Sequence, residues 1–157
     1  MNPIPIDAIV NGWFPTGGEV ATHPFVLGAI LLAGGRIQAI QEAGDRPGGS
    51  ILDASGCTVL PGFIDVHIHG SAGADTMDAT LEAHRTMSRF LVQHGVTSYV
   101  ATTVTAPPAA TLAAVQGAAQ AGERPVADGA RLLGVHLEGP YLSPRFPGAQ
   151  PKAHLRA

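Results

Sequence analysis

Cysteine is nearly absent. The 157 residues contain one, Cys57, which excludes an intrachain disulfide and a cysteine-rich zinc site. A reducing cytoplasm fits that usage, and Cys57, with no base partner nearby in sequence, reads as a small buried residue. Charge is also scarce: 13% of residues are charged, against about 25% in an average soluble domain. The net charge is −3 and there is no basic run, so nucleic acid is not an expected partner. Long apolar runs are missing too. The longest, Phe25 to Ala33, is about half of the roughly 20 residues that span a bilayer, so no membrane partner is expected. Met1-Asn2-Pro3-Ile4-Pro5 lacks the charged-then-apolar layout of a signal peptide.

What is present is 45% hydrophobic residues, with 20 Gly and 13 Pro. That composition belongs to a globular chain with many turns. Two textures follow one another. Residues 1–58 read as a small β domain of four to six short strands. Ile6 to Val10, Asn11-Gly12 and Trp13-Phe14 predict a hairpin, because Asn-Gly suits the φ > 0 positions of a type I′ turn. Ala29 to Ala33, Gly34-Gly35 and Arg36 to Ile40 predict a second. Asp45 to Ser50 is a polar loop, and Ile51-Leu52-Asp53 and Thr58-Val59-Leu60 are two further short strands.

From residue 59 the pattern alternates. Phe63 to His69 predicts a strand, and Gly70 to Ala74 a loop. Ala79 to His94 predicts a helix: Leu81, His84, Met87, Phe90, Leu91 and His94 form one stripe at spacings of three and four. Asp78 or Thr80 caps its start, and Gly95 stands where a C′ glycine belongs. Val96 to Val104 is a Thr/Val-rich strand. Pro107-Pro108 opens an Ala-rich helix to about Ala121, and Leu132 to Leu137 is a third strand that runs into a Pro/Gly-rich loop. The order β-α-β-α-β implies a parallel sheet with right-handed crossovers. Order alone does not separate an open doubly wound sheet from a closed barrel. There is no repeat, and no dinucleotide-type Gly-rich turn.

Chemistry concentrates at strand ends. Alternate residues of a strand share a face, so Asp65, His67 and His69 are expected on one side. Two imidazoles there suit zinc or iron; the competing reading is a pair of barrel-facing histidines satisfied by hydrogen bonds. Glu138 ends the third strand on the face of His136, immediately before Gly139-Pro140. A carboxylate in that place is either paired, metal-bound or solvated. In β/α barrels catalytic groups gather at the C-terminal ends of several strands, and His67, His69 and Glu138 all stand there. His136, one step deeper, is expected to support the site rather than ligate. His84 and His94 are expected to pack, His23 lies in the β domain, and His154 has no assigned role.

Leu60-Pro61-Gly62-Phe63-Ile64-Asp65-Val66-His67-Ile68-His69-Gly70 resembles the first barrel strand of the amidohydrolase superfamily. Gly73 to Asp78, His94 to Thr103, Gly134 to Tyr141 with its His-Leu-Glu-Gly-Pro core, and Gly148 to Lys152 are similar to the N-acetylglucosamine-6-phosphate deacetylase family within it. The resemblance runs from about residue 58 to the end, and covers residues 1–57 in kind only. It implies an α/β fold: the N-terminal portion of a TIM-like (β/α)8 metal-dependent hydrolase barrel, preceded by part of a small β-sandwich domain. The implied units are 1–58 and 59–157.

The implied activity is hydrolysis of N-acetylglucosamine 6-phosphate, an amino-sugar phosphate, to glucosamine 6-phosphate and acetate. The implied cofactor is one or two divalent ions, zinc or iron, that lower the pKa of bound water and polarise the amide carbonyl. Glu138 matches the family's metal-binding glutamate, and His67 and His69 its HxH pair. Ala149-Gln150 falls where the family contacts the sugar phosphate. Two later histidine ligands and the proton-transferring aspartate of the family fall beyond residue 157, so no catalytic residue is assigned and the isolated chain is expected to be inactive. The complete enzyme is expected to be a cytoplasmic homo-oligomer. Two alternatives differ. A cyclic amidase of the same superfamily usually carries a metal-bridging lysine, against which Glu138 in its Gly-Pro context speaks. A non-catalytic relic domain would need an interaction surface that the sequence does not display.

Overall fold

The computed structural model describes residues 5–15, 24–42 and 47–156. His23 and residues 45–46 of the polar loop lie outside them. The chain divides into two compact units, Met1–Pro61 and Gly62–Ala157.

The first unit is a four-stranded sheet in the order β3-β2-β1-β4. Its strands are β1 (Ala8–Pro15), β2 (Phe25–Ala33), β3 (Arg36–Glu42) and β4 (Ile51–Asp53). β1, β2 and β3 pair antiparallel, and β4 lies parallel to β1. The β2–β3 hairpin turns at Gly34 and Gly35, both at positive φ as a type I′ turn requires. Ala8, Phe14, Ala29, Ile30 and Ala54 are buried in this unit.

The first expected hairpin is not there. β1 runs straight through Asn11-Gly12, and its register with β2 slips between Val10 and Gly12. Asn11 takes the left-handed conformation (φ 61°) as the extra residue of a β-bulge, and its side-chain amide donates to Asp53 Oδ1 at 3.1 Å. Asn-Gly supplies the same backbone freedom to a bulge as to a turn, so the dipeptide alone does not choose. Thr58-Val59-Leu60 is likewise no strand; Thr58 makes a single parallel bridge to Trp13. Cys57 is exposed, not buried.

The second unit holds β5 (Phe63–Ile68), α1 (Leu81–Gln93), β8 (Val96–Thr103), α2 (Pro108–Gly122) and β9 (Arg131–Leu137). The stretch read as a loop after β5 contains a small antiparallel hairpin, β6 (Gly70–Ser71) with β7 (Ala74–Asp75), and then a 3-10 turn at Thr76–Asp78. β5, β8 and β9 form an all-parallel sheet with β8 in the middle. The expected β-α-β-α-β order is observed, with helices as crossovers.

The caps sort themselves by chemistry. Thr80 accepts from the backbone N–H of Ala83 and caps α1, while Asp78 closes a capping box with Asp75 around the preceding 3-10 turn. Met87 and Leu91 of α1 pack against Tyr99 and Ala101 of β8, with Ala130, and Ile68, Val96 and Leu132 join them. The helical stripe is narrower than its periodicity promised. Phe90 and His94 are exposed; they stack on each other at 4.3 Å, and His94 Nδ1 lies 2.9 Å from the Phe90 carbonyl oxygen. α2 buries small residues, Ala114, Gly117, Ala118 and Ala121. Gly117 is required: a Cβ there would sit 2.6 Å from the Ala79 carbonyl oxygen.

β9 also carries a bulge. Tyr99 pairs with Leu132 but Val100 pairs with Gly134, so Leu133 is the extra residue. The bulge reverses the alternation along the strand. Leu132 packs into the core beneath the helices, whereas His136, four residues on, meets His67 on the other face.

Candidate metal centre

Two strands of the sheet carry the donors, with β8 between them. His67 lies near the end of β5, His69 follows its last residue, and Glu138 follows the last residue of β9. Their donor atoms converge. His67 Nε2 is 3.3 Å from His69 Nε2 and 3.3 Å from Glu138 Oε2, and His69 Nε2 is 3.0 Å from the same oxygen. Side-chain exposure is 47% for His67, 34% for His69 and 26% for Glu138. Glu138 Oε2 itself is shielded from solvent and has no partner in hydrogen-bonding geometry. The two histidine contacts are therefore short approaches of charge-rich atoms, not oriented hydrogen bonds.

The donor set and its dimensions fit a divalent ion. Nitrogen and oxygen ligands about 2.0–2.2 Å from one zinc ion stand about 3–3.5 Å from each other. The three separations fall in that interval. Two imidazoles and one carboxylate are borderline and hard donors of the kind that zinc and iron accept. Among the described residues this is the grouping of His, Cys, Asp and Glu donor atoms compact enough for a metal, all within 4.8 Å of one another.

The surrounding groups hold the ligands. His69 Nδ1 lies 3.2 Å from the Thr102 carbonyl oxygen. A carbonyl only accepts, so Nδ1 carries a proton and Nε2 is the ring nitrogen turned to the site. Thr102 Oγ1 also accepts from the Ile68 backbone N–H at 3.1 Å, fixing β5 just before His69. Asp65 was expected beside the histidines. Its carboxylate instead turns along the strand and accepts from the His67 backbone N–H at 3.0 Å, and the β5–β8 register slips between Asp65 and Ile68. His136 is exposed and stands outside the donor group, its ring 5.0 Å from that of His67.

Thr105 ties the outer loops to the site. Its hydroxyl donates to the Glu138 carbonyl oxygen at 3.0 Å, and its backbone N–H donates to Gln150 Oε1 at 2.7 Å. Gln150 is 6% exposed, so its side chain serves this buried bond, while Ala149 is exposed. Thr102 and Thr105 carry no functional signal in the sequence. A backbone carbonyl that orients a ligand leaves no mark in residue identity, and the Thr-rich strand offered only a propensity signal.

His84 is a different kind of residue. It is 1% exposed, with neither ring nitrogen hydrogen-bonded, and burial lowers its pKa below the ordinary histidine value. The Tyr99 hydroxyl lies 3.2 Å from Ser88 Oγ and 3.4 Å from the His84 carbonyl oxygen. Burial raises the Tyr99 pKa, with the Ser88 contact opposing.

Residues 58–157 match the model of the amidohydrolase family. The chain belongs to the amidohydrolase family. It is 43% identical over 122 residues to N-acetylglucosamine-6-phosphate deacetylase of Vibrio furnissii, covering 78% of this chain and 30% of that protein. It is 48% identical over 100 residues to the Bacillus subtilis enzyme of the same name, covering 62% of this chain and 25% of that one. The crystal structure of N-acetylglucosamine-6-phosphate deacetylase from Pasteurella multocida superposes with a TM-score of 0.82 at 28% identity, over 96% of this chain and 38% of that one. The chain thus spans about a third or less of the length of the curated relatives it matches. The fold of the second unit is the opening part of the amidohydrolase TIM-like barrel, with β5, β8 and β9 as parallel strands. Family membership brings metal dependence, and His67, His69 and Glu138 are a group able to meet it.

Proposed function

We propose that His67, His69 and Glu138 hold a divalent ion, zinc or iron, in a protein that deacetylates N-acetylglucosamine 6-phosphate to glucosamine 6-phosphate and acetate. The observation that carries the reading is the triangle of three donor atoms with sides of 3.0, 3.3 and 3.3 Å. The similarity to deacetylases of that name supports the substrate. The chemistry such an ion supplies is activation of water and polarisation of an amide carbonyl. His69 contributes Nε2, its Nδ1 held by the Thr102 carbonyl, and Glu138 contributes the carboxylate of the set. Ala149 and Gln150 are proposed to border the sugar phosphate. With the Gln150 side chain committed to Thr105, this segment meets substrate through its backbone.

Among the described residues no second carboxylate joins the metal group, so the group that moves the proton between water and leaving amine is proposed to lie outside this chain. The 157-residue chain alone is then expected to release no acetate, and measured turnover by it would overturn that expectation. A longer product that supplies the rest of the barrel is expected to release acetate from N-acetylglucosamine 6-phosphate when zinc or ferrous iron is added. No release, or equal release by its Glu138→Gln variant, would refute the assignment. The low cysteine content supports a cytoplasmic setting, and a homo-oligomeric complete enzyme is proposed on the resemblance alone.

A further inference from the structure

His136 is drawn to the donor group without joining it. The bulge at Leu133 turns it onto the face of His67 and puts it in register with Thr102. Its ring meets the His67 ring at a centroid distance of 5.0 Å and an interplanar angle of 71°. That is the edge-to-face arrangement aromatic rings prefer.

The three donors are not restrained alike. The His69 ring is pinned through Nδ1 to the Thr102 carbonyl, and Glu138 has its backbone tied by Thr105. His67 is the most exposed of the three, and the contacts of its ring are with His69, Glu138 and His136. His69 also meets the His67 ring edge-to-face, at 5.1 Å and 85°, but as a donor aimed at the same ion. The ring contact from outside the donor set is His136.

We propose that His136 is a positioning residue that holds the His67 imidazole in its metal-binding orientation by edge-to-face packing, without ligating the ion itself. This rests on the reading of His67, His69 and Glu138 as a metal site.

The test is a cobalt(II) titration of the 157-residue chain, following affinity and the visible absorption band of the bound ion. His136 is exposed, so its substitution is expected to leave the far-UV circular dichroism unchanged. His136→Ala is expected to weaken cobalt binding about 10- to 100-fold, the range for groups that orient a ligand. His136→Phe restores an aromatic edge but no donor nitrogen. It is expected to bind within about threefold of the parent, with the same band, because the ring contact is kept. If His136→Phe is as weak as His136→Ala and the band changes in both, His136 is a ligand and the proposal fails. If His136→Ala binds like the parent, there is no positioning role. A parent chain that shows no cobalt band, or a Glu138→Gln variant that binds as the parent does, removes the metal site and the proposal with it. That outcome is recognisable because it does not involve His136.

Discussion

Replacing Glu138 by Gln removes the carboxylate from the donor set at nearly constant volume. Loss of a group that merely orients a ligand costs 10- to 100-fold in metal affinity, so loss of the carboxylate donor is expected to cost at least about 100-fold. The consequence can be read as heat stability. An ion that binds the folded state alone, supplied at about 100 times its dissociation constant, stabilises by about 2.7 kcal/mol. The unit that carries the site, Gly62–Ala157, is of a size for which 1 kcal/mol moves the melting temperature by about 4–8 °C. Zinc is therefore expected to raise the melting temperature by about 10–20 °C in the parent chain. In Glu138→Gln the same zinc concentration is near the new dissociation constant or below it. It stabilises by about 0.4 kcal/mol at most, a shift of about 2–3 °C. Without metal the two proteins are expected to melt within a few degrees of each other, because Glu138 Oε2 has no hydrogen bond to lose. Differential scanning fluorimetry with and without zinc, with a chelator control, reads all four values. Equal zinc-induced shifts in the two proteins would refute the argument that these three atoms are the ligands.

Other consequences concern the frame around the site. Burial lowers the His84 pKa, so between that folded value and the unfolded value of about 6.5 the unfolded chain binds more protons. The stability due to neutral His84 is complete above about pH 6.5 and declines as pH falls below it, by at most about 1.4 kcal/mol per pH unit. Urea titrations from pH 7.5 to 5 should show this loss, and His84→Gln should remove most of its slope; an unchanged slope would show that His84 is not its source. Gly117→Ala is expected to destabilise by about 1–3 kcal/mol through overpacking against the Ala79 carbonyl, although Ala is ordinarily the better helix former by about 1 kcal/mol. A rise in melting temperature would contradict the close approach. Asn11→Ala is expected to cost about 1–3 kcal/mol, from left-handed strain and loss of the bond to Asp53. Asn11→Gly, which relieves the strain but not the bond, should lose less; chemical denaturation of the pair separates the two contributions.

Residue identity and spacing already carried much of this structure. The β-α-β-α-β order follows from hydrophobic period and Pro/Gly punctuation, because an element must present a regular apolar face to be stable at all. His67, His69 and Glu138 stood out because two imidazoles on one face of a strand end and a carboxylate at another strand end are donor types that a metal accepts. Their convergence was another matter. A strand pattern states which side chains share a face only while the alternation is unbroken, and register shifts break it in several strands. At Asn11 a turn signal became a bulge within one strand. At Leu133 the inserted residue put Leu132 into the core and His136 beside His67. Bulges are chosen by how neighbouring strands pair, which is a property of two segments far apart in sequence.

The same reason separates what each level decided. By itself, the sequence determined the kinds of element, their order and the donor types available to a metal. Only the tertiary structure decided that Asp65 turns away to a backbone N–H, that the Thr102 carbonyl holds His69 Nδ1, and that Gln150 is spent on Thr105. Those outcomes depend on which backbone groups stand within about 3 Å of a side chain. That distance is fixed by the register between strands, and no single strand contains it.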